Sequence, residues 1–122
     1  MTARSVARLQ AAGRLVLGGG LTFAPAVVAG GWVGGAADRR DGQALAIGLG
    51  ARDVAIAAGT LGALRTRGGA RAWLRAGIAA DAADLVATLR ARDSLPALAV
   101  PAVVALAGGS LVLGAWLQSA VD

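Results

Sequence analysis

Six residue types are missing from this 122-residue chain: asparagine and, with more consequence, cysteine, histidine, lysine, glutamate and tyrosine. Without cysteine there is no disulfide framework, and the redox compartment leaves no trace. Without Cys, His and Glu the chain lacks most metal ligands and most general bases. Its serines and threonines have no base partner other than aspartate. No enzymatic activity, no catalytic residue, no metal and no cofactor are therefore expected. Charge is also scarce, at 16% of residues against about 25% in ordinary soluble domains. Hydrophobic residues make up 57%, and the mean hydropathy is +0.66. A soluble domain of this size would leave far more polar surface, and the length suits one domain with no room for a second.

The charge that is present has a narrow vocabulary. All twelve basic residues are arginine and all seven acidic ones are aspartate. Heavy use of Ala, Gly and Arg without Lys is the mark of GC-rich coding, which points to a GC-rich bacterial host. A net charge of +5 and a pI near 11.7 would suit a nucleic-acid binder. The arginines, however, fall mostly in short breaks between apolar segments, where they set membrane topology, and no nucleic-acid partner is expected. Arg4, Arg8 and Arg14 ahead of an apolar stretch resemble a signal peptide, with Ala36 and Ala37 as a cleavage site. Three further apolar segments would then need a separate explanation.

Those segments define the expected architecture. Leu15 to Gly35 and Leu95 to Leu117 carry no charge. Gln43 to Leu64 is apolar apart from Arg52 and Asp53, and Ala72 to Leu89 apart from Arg75, Asp81 and Asp84. Each approaches the roughly 20 residues that span a bilayer, and the breaks are short enough to make neighbouring helices antiparallel. The expectation is an all-α polytopic membrane bundle of about four transmembrane helices forming a single membrane domain over 1–122. The helices are placed at 43–64, 72–89 and 95–117, preceded by a first helix at either 4–23 or 15–35. In the early version Pro25 opens a short interfacial helix, 25–34, with Trp32 at the headgroups. With the N-terminus inside, six loop arginines lie inside and four outside. That bias places both termini in the cytoplasm of a multi-pass protein of the bacterial cytoplasmic (inner) membrane.

Charges within the second and third helices conflict with insertion. The six strong apolar residues of 72–89 contribute roughly −2 to −4 kcal/mol, whereas two central aspartates cost roughly 5 to 7 kcal/mol. The two helices need each other. Arg52 lies about 19 Å before the break at Arg65, and Asp81 and Asp84 about 15 and 19 Å after Arg71, at 1.5 Å per residue. All three therefore share one depth, and Arg52 can pair with Asp81, Asp84 or both. Gly48, Ala55, Gly59 and Gly62 flank Arg52 on one stripe, while Gly77 and Thr88 flank the aspartates on another, so close packing of these two helices is expected. Asp53 points about 100° away from Arg52 and needs another partner. Arg14 supplies one if the first helix starts early. Arg75 sits near a helix start and can snorkel. The expected buried charge network is thus Arg14, Arg52, Asp53, Asp81 and Asp84, with a net charge of −1.

Gly13-Arg14-Leu15, Ala24-Pro25, Gly50-Ala51-Arg52-Asp53 and Ala80-Asp81-Ala82-Ala83-Asp84 form a set of blocks. They resemble a family of small uncharacterised bacterial integral membrane proteins with G-R-L, A-P, G-A-R-D and A-D-x-x-D blocks, over roughly residues 13 to 90. The resemblance implies a helical membrane protein and no established activity. The Gly-rich stretch 29–35 departs from that pattern. Sharper resemblances fail. The spacing from Gly77 to Asp81 and Asp84 is one residue short of the CDP-alcohol phosphotransferase motif. A fluoride-channel Thr/Phe motif is absent, and so is the membrane glutamate of small multidrug transporters. Two functions remain. One is a structural or accessory role, acting by packing in a homo-oligomer or with a partner membrane protein in the lipid bilayer. The other is a proton-linked small transporter or channel subunit using Asp81 and Asp84. A water-lined path beside those aspartates favours the second; a dry, fully paired network favours the first.

Overall fold

Proline and glycine divide the chain into its helices. The computed structural model describes residues 1–121, and among these there is no strand. Helix α1 runs Ala3–Phe23. Thr2 starts it as an N-cap, with its Oγ1 accepting from the Ser5 N–H at 3.1 Å. Pro25 ends it, because the residue before a proline is pushed out of the helical region; Ala24 sits at φ −135°, ψ 58°. The proline then takes the first position of α2, Pro25–Val33, where its missing N–H costs nothing. The arm from Pro25 to Asp38 is bent by 106° from α1. A single straight helix over 15–35 is thereby ruled out, and the early start holds.

Gly34, at φ +62°, stops α2, and a 3-10 turn, Gly34–Asp38, leads to α3, Arg40–Ala63. Gly68 and Gly69, at φ +85° and +88°, make the tight turn into α4, Ala70–Arg90. A short 3-10 turn at Arg92–Ser94 follows. The last helix begins only at Ala99, after Pro96, rather than at Leu95. It comprises α5, Ala99–Val103, a π-helical turn, Val104–Gly108, and α6, Gly109–Ala120, and is continuous over 22 residues.

Two apolar clusters give the layout. Ala7, Leu64, Ala70, Leu74, Leu117 and Val121 pack together at one end. Leu21, Ala29, Ala37 and Ala46 pack at the other. So α1 and α4 run one way, α3 and the α5–α6 helix run back, and α2 folds across the far end. The N-terminus, the α3–α4 turn and Val121 share one end. Arg4 ties them together by donating to the carbonyls of Leu64, Thr66 and Val121, which are free acceptors at helix ends.

Among the long helices, backbone approaches backbone most closely between α1 and α3, not between α3 and α4. A Cβ on Gly50 would stand 2.5 Å from the Gly18 carbonyl oxygen, and one on Gly18 2.8 Å from that of Gly50. The glycine stripe expected to join α3 to α4 does so only in part: Gly59 lies against the Trp73 ring of α4, whereas a Cβ on Gly48 or Gly62 would meet nothing within 4 Å. Helix α3 and the Ala99–Ala120 helix are long and apolar enough to cross a membrane, and the bent α1–α2 pair would make a third such span. Helix α4 does not qualify by composition, because Arg75, Asp81 and Asp84 interrupt it.

Gly50→Ala should destabilise the protein by about 1–3 kcal/mol, since the new methyl group meets backbone. Gly48→Ala, which meets nothing, should be neutral or gain up to about 1 kcal/mol from helix propensity. Thermal unfolding of the purified variants checks both.

Candidate functional site: a buried arginine–aspartate layer and its cavity

Between the two apolar clusters lies a layer of charge. Each member stands near the middle of its helix: Arg14 on α1, Arg52 and Asp53 on α3, Asp81 and Asp84 on α4. The structure brings all five together. Arg14 donates from Nη1 to Asp53 Oδ1 at 3.2 Å and from Nη2 to Asp81 Oδ2 at 2.6 Å. One planar guanidinium thus bridges three helices. Arg52 forms a fork on Asp84, with Nη1 to Oδ1 at 3.0 Å and Nη2 to Oδ2 at 2.7 Å. It also curls back to Asp53 Oδ1, at 3.3 Å from Nε and 3.1 Å from Nη2. The Arg14 and Asp81 side chains are only 9% and 8% exposed; Arg52, at 30%, is the most open of the five.

The pairing resolves what depth alone left open. Asp81 and Asp84 sit three residues apart on one face of α4. Asp84 meets Arg52, and Asp81 is taken by Arg14 from the opposite side. Gly77, a turn before Asp81, leaves room for this: a Cβ there would be 3.3 Å from Arg14 Nη2. Asp53 has Arg14 as a partner and Arg52 as a second, because the Arg52 side chain folds along its own helix. Arg75 stays outside the layer and donates to Gln118 Oε1 at 3.0 Å on the surface. Trp32 does not lie free at the surface. Its indole N–H donates to Thr88 Oγ1 at 2.9 Å, and Thr88 is 2% exposed.

Two further residues belong to the layer. Ser110 Oγ accepts from Arg14 Nη2 at 3.4 Å. Gln10 Nε2 donates to the Ser110 carbonyl at 2.9 Å and to its hydroxyl at 3.1 Å, which joins α1 to α6. Sequence reasoning passed over both, although each is a polar interruption at the right depth in an apolar helix.

The layer is not sealed. A cavity of about 490 Å³ opens beside it, with Arg14, Asp53, Asp81 and Asp84 in its wall. Trp32, Leu17, Leu21, Val28, Val103 and Leu106 line other parts. All hydrogen bonds to Asp53 reach Oδ1, and the one to Asp81 reaches Oδ2. Among the described residues no fully enclosed side-chain oxygen or nitrogen lacks a partner. Asp53 Oδ2 and Asp81 Oδ1 accept no hydrogen bond from a described residue and are therefore not enclosed, and both residues line the cavity. No group of three or more acidic side chains among the described residues is disposed to hold a metal ion.

The fold and site together define an all-helical, up-and-down bundle with a five-residue arginine–aspartate layer at mid-height. The chain matches no protein-family model, no curated protein and no solved structure.

Removing one partner of a buried pair strands the other charge, at a cost of about 3–5 kcal/mol, whereas removing both is nearly neutral. Arg52→Leu should therefore sharply deplete the folded protein. Adding Asp84→Leu should recover it, and adding Asp81→Leu should not, because Asp84 would still be unpaired. Folded yield of the three variants by size-exclusion chromatography distinguishes these outcomes.

Proposed function

We propose that this chain is an integral membrane protein with four bilayer crossings, in which the Arg–Asp layer is the staple that lets charged helices stay in lipid. The support is physical. Large apolar side chains point outward along the bundle: Val16, Phe23, Val27, Leu45, Leu98 and Val112 are each more than two-thirds exposed. Exposure of that many large apolar side chains suits a lipid surface rather than water. Helix α4 becomes the fourth crossing because α1 and α3 neutralise its aspartates. The resemblance to small bacterial membrane proteins points the same way, to the cytoplasmic membrane. The loop arginines favour a cytoplasmic location for both termini.

The role that follows is structural or accessory, with the bundle packing against itself or against a partner membrane protein. The observation that carries it is that all five charges of the layer are engaged with one another, as in a device that fixes helix register. A second reading, a small transporter or channel subunit working through Asp81 and Asp84, is favoured by one observation, the cavity beside those residues.

Alkaline carbonate should leave the protein in the membrane pellet, and reporter fusions should place both termini on the cytoplasmic side. Release into the supernatant, or a C-terminus on the far side, contradicts the four-crossing reading. Gentle detergent extraction should yield a stoichiometric complex with a second copy or another membrane protein. A lone monodisperse bundle favours the transporter reading instead.

A further inference from the structure

We propose that the cavity between α1, α2 and the α5–α6 helix binds a hydrophobic monovalent cation, whose charge is set against Asp81 Oδ1 and Asp53 Oδ2. The inference rests on the membrane reading above and gives its cavity a ligand class.

The size of the cavity admits an organic molecule. About 490 Å³ lies within the roughly 300–1,000 Å³ of small-molecule sites. Ca²⁺ or Mg²⁺ would take six or more oxygen ligands, and the two carboxylate oxygens that accept nothing fall well short of that.

Charge selects the sign. The layer holds two arginines and three aspartates, a net of −1. Both guanidiniums are committed to carboxylates, Arg14 to Asp53 and Asp81, Arg52 to Asp53 and Asp84. An anion entering the cavity would find no uncommitted guanidinium and three carboxylates to repel it. A cation would supply the missing positive charge. It would meet Asp81 Oδ1, on a side chain more than nine-tenths buried, and Asp53 Oδ2.

The remaining wall suits the rest of such a molecule. Leu17, Leu21, Val28 and Leu106 give an apolar lining. Trp32 adds an aromatic ring whose position is fixed by its hydrogen bond to Thr88, and aromatic faces attract cations. The π-helical turn Val104–Gly108 borders the same space through Leu106 and Ala107, and such turns recur at functional sites.

The probe is tetraphenylphosphonium, with tetraphenylborate as an anion of the same shape, measured by equilibrium dialysis on the detergent-purified full chain. Wild type should bind the cation saturably at one site, and tetraphenylborate should bind roughly tenfold more weakly or worse, the scale of a charge-assisted contact. Asp81→Asn would remove the open carboxylate but also loosens Arg14, so the decisive variant is Gly31→Phe. Gly31 lines the cavity, and a Cβ there meets nothing within 4 Å. The ring should fill the space with every charge pair intact. It should lower cation affinity about tenfold or more, the equivalent of losing roughly 1.4 kcal/mol, without changing helical circular dichroism or melting temperature. Equal binding of cation and anion would overturn the proposal by reducing the cavity to an apolar slot for lipid. Unsaturable binding, or binding unaffected by Gly31→Phe in a folded protein, would overturn it as well. If the protein resists carbonate extraction and still shows any of these results, the cavity proposal fails and the membrane reading stands. If carbonate releases it, the membrane reading itself fails.

Discussion

The Arg14 guanidinium connects α1 to both α3 and α4, and much of the architecture serves to put it there. Its two terminal nitrogens are spent on two carboxylates from two different helices, at 3.2 and 2.6 Å. A planar fork with several donors can do this; a lysine ammonium, a point charge on a flexible stem, would fix neither partner's direction. Three glycines clear the space. Gly18 and Gly50 bring α1 against α3, and Gly77 opens α4 to the guanidinium. Pro25 contributes by ending α1 beyond Phe23. With Thr2 capping its start at Ala3, this limit puts Arg14 near the middle of the helix.

Such a layer is weak evidence for stability, since desolvating five charges offsets much of what their pairing returns. Its effect is on specificity. Slide α4 by one turn along α3 and Asp84 leaves the Arg52 fork; rotate it and Asp81 leaves Arg14. Alternative registers that pure Leu and Ala surfaces would tolerate become expensive. In the membrane reading there is an order to assembly as well. Helix α4 carries two aspartates worth roughly 5 to 7 kcal/mol against insertion, so it is held in lipid only after α1 and α3 can receive it. The apolar clusters above and below then seal the layer at both ends, leaving the cavity as its opening.

Much of this was legible in the sequence, for reasons that can be named. Segment length, the arginine breaks and the 1.5 Å rise per residue place charges at a common depth without any knowledge of packing. Pro25 announces its own break. What depth cannot supply is azimuth. Whether Asp81 or Asp84 meets Arg52 depends on how α1 wedges against α3 and α4, and that is decided by Gly18 and Gly50, two among nineteen glycines. The stripe of Gly48, Gly59 and Gly62 was equally plausible by spacing, yet only Gly59 meets α4, against the Trp73 ring. The π-helical turn leaves no signal in a run of Ala, Val and Gly. Nor does the cavity, which is a property of what the bent α2 fails to fill. Gln10 and Ser110 could have been found, as lone polar residues at layer depth.

The central claim is that the layer works as one coupled unit through Arg14. A double-mutant cycle on Arg14→Met and Asp81→Leu, read as unfolding free energy in detergent, tests it directly. Contacting partners in a charge network are expected to show a coupling energy of about 0.5–3 kcal/mol, with the double variant more stable than the sum of the single losses allows. Losses that add to within about 0.3–0.5 kcal/mol would mean that the two residues do not share an interaction, and would contradict the account.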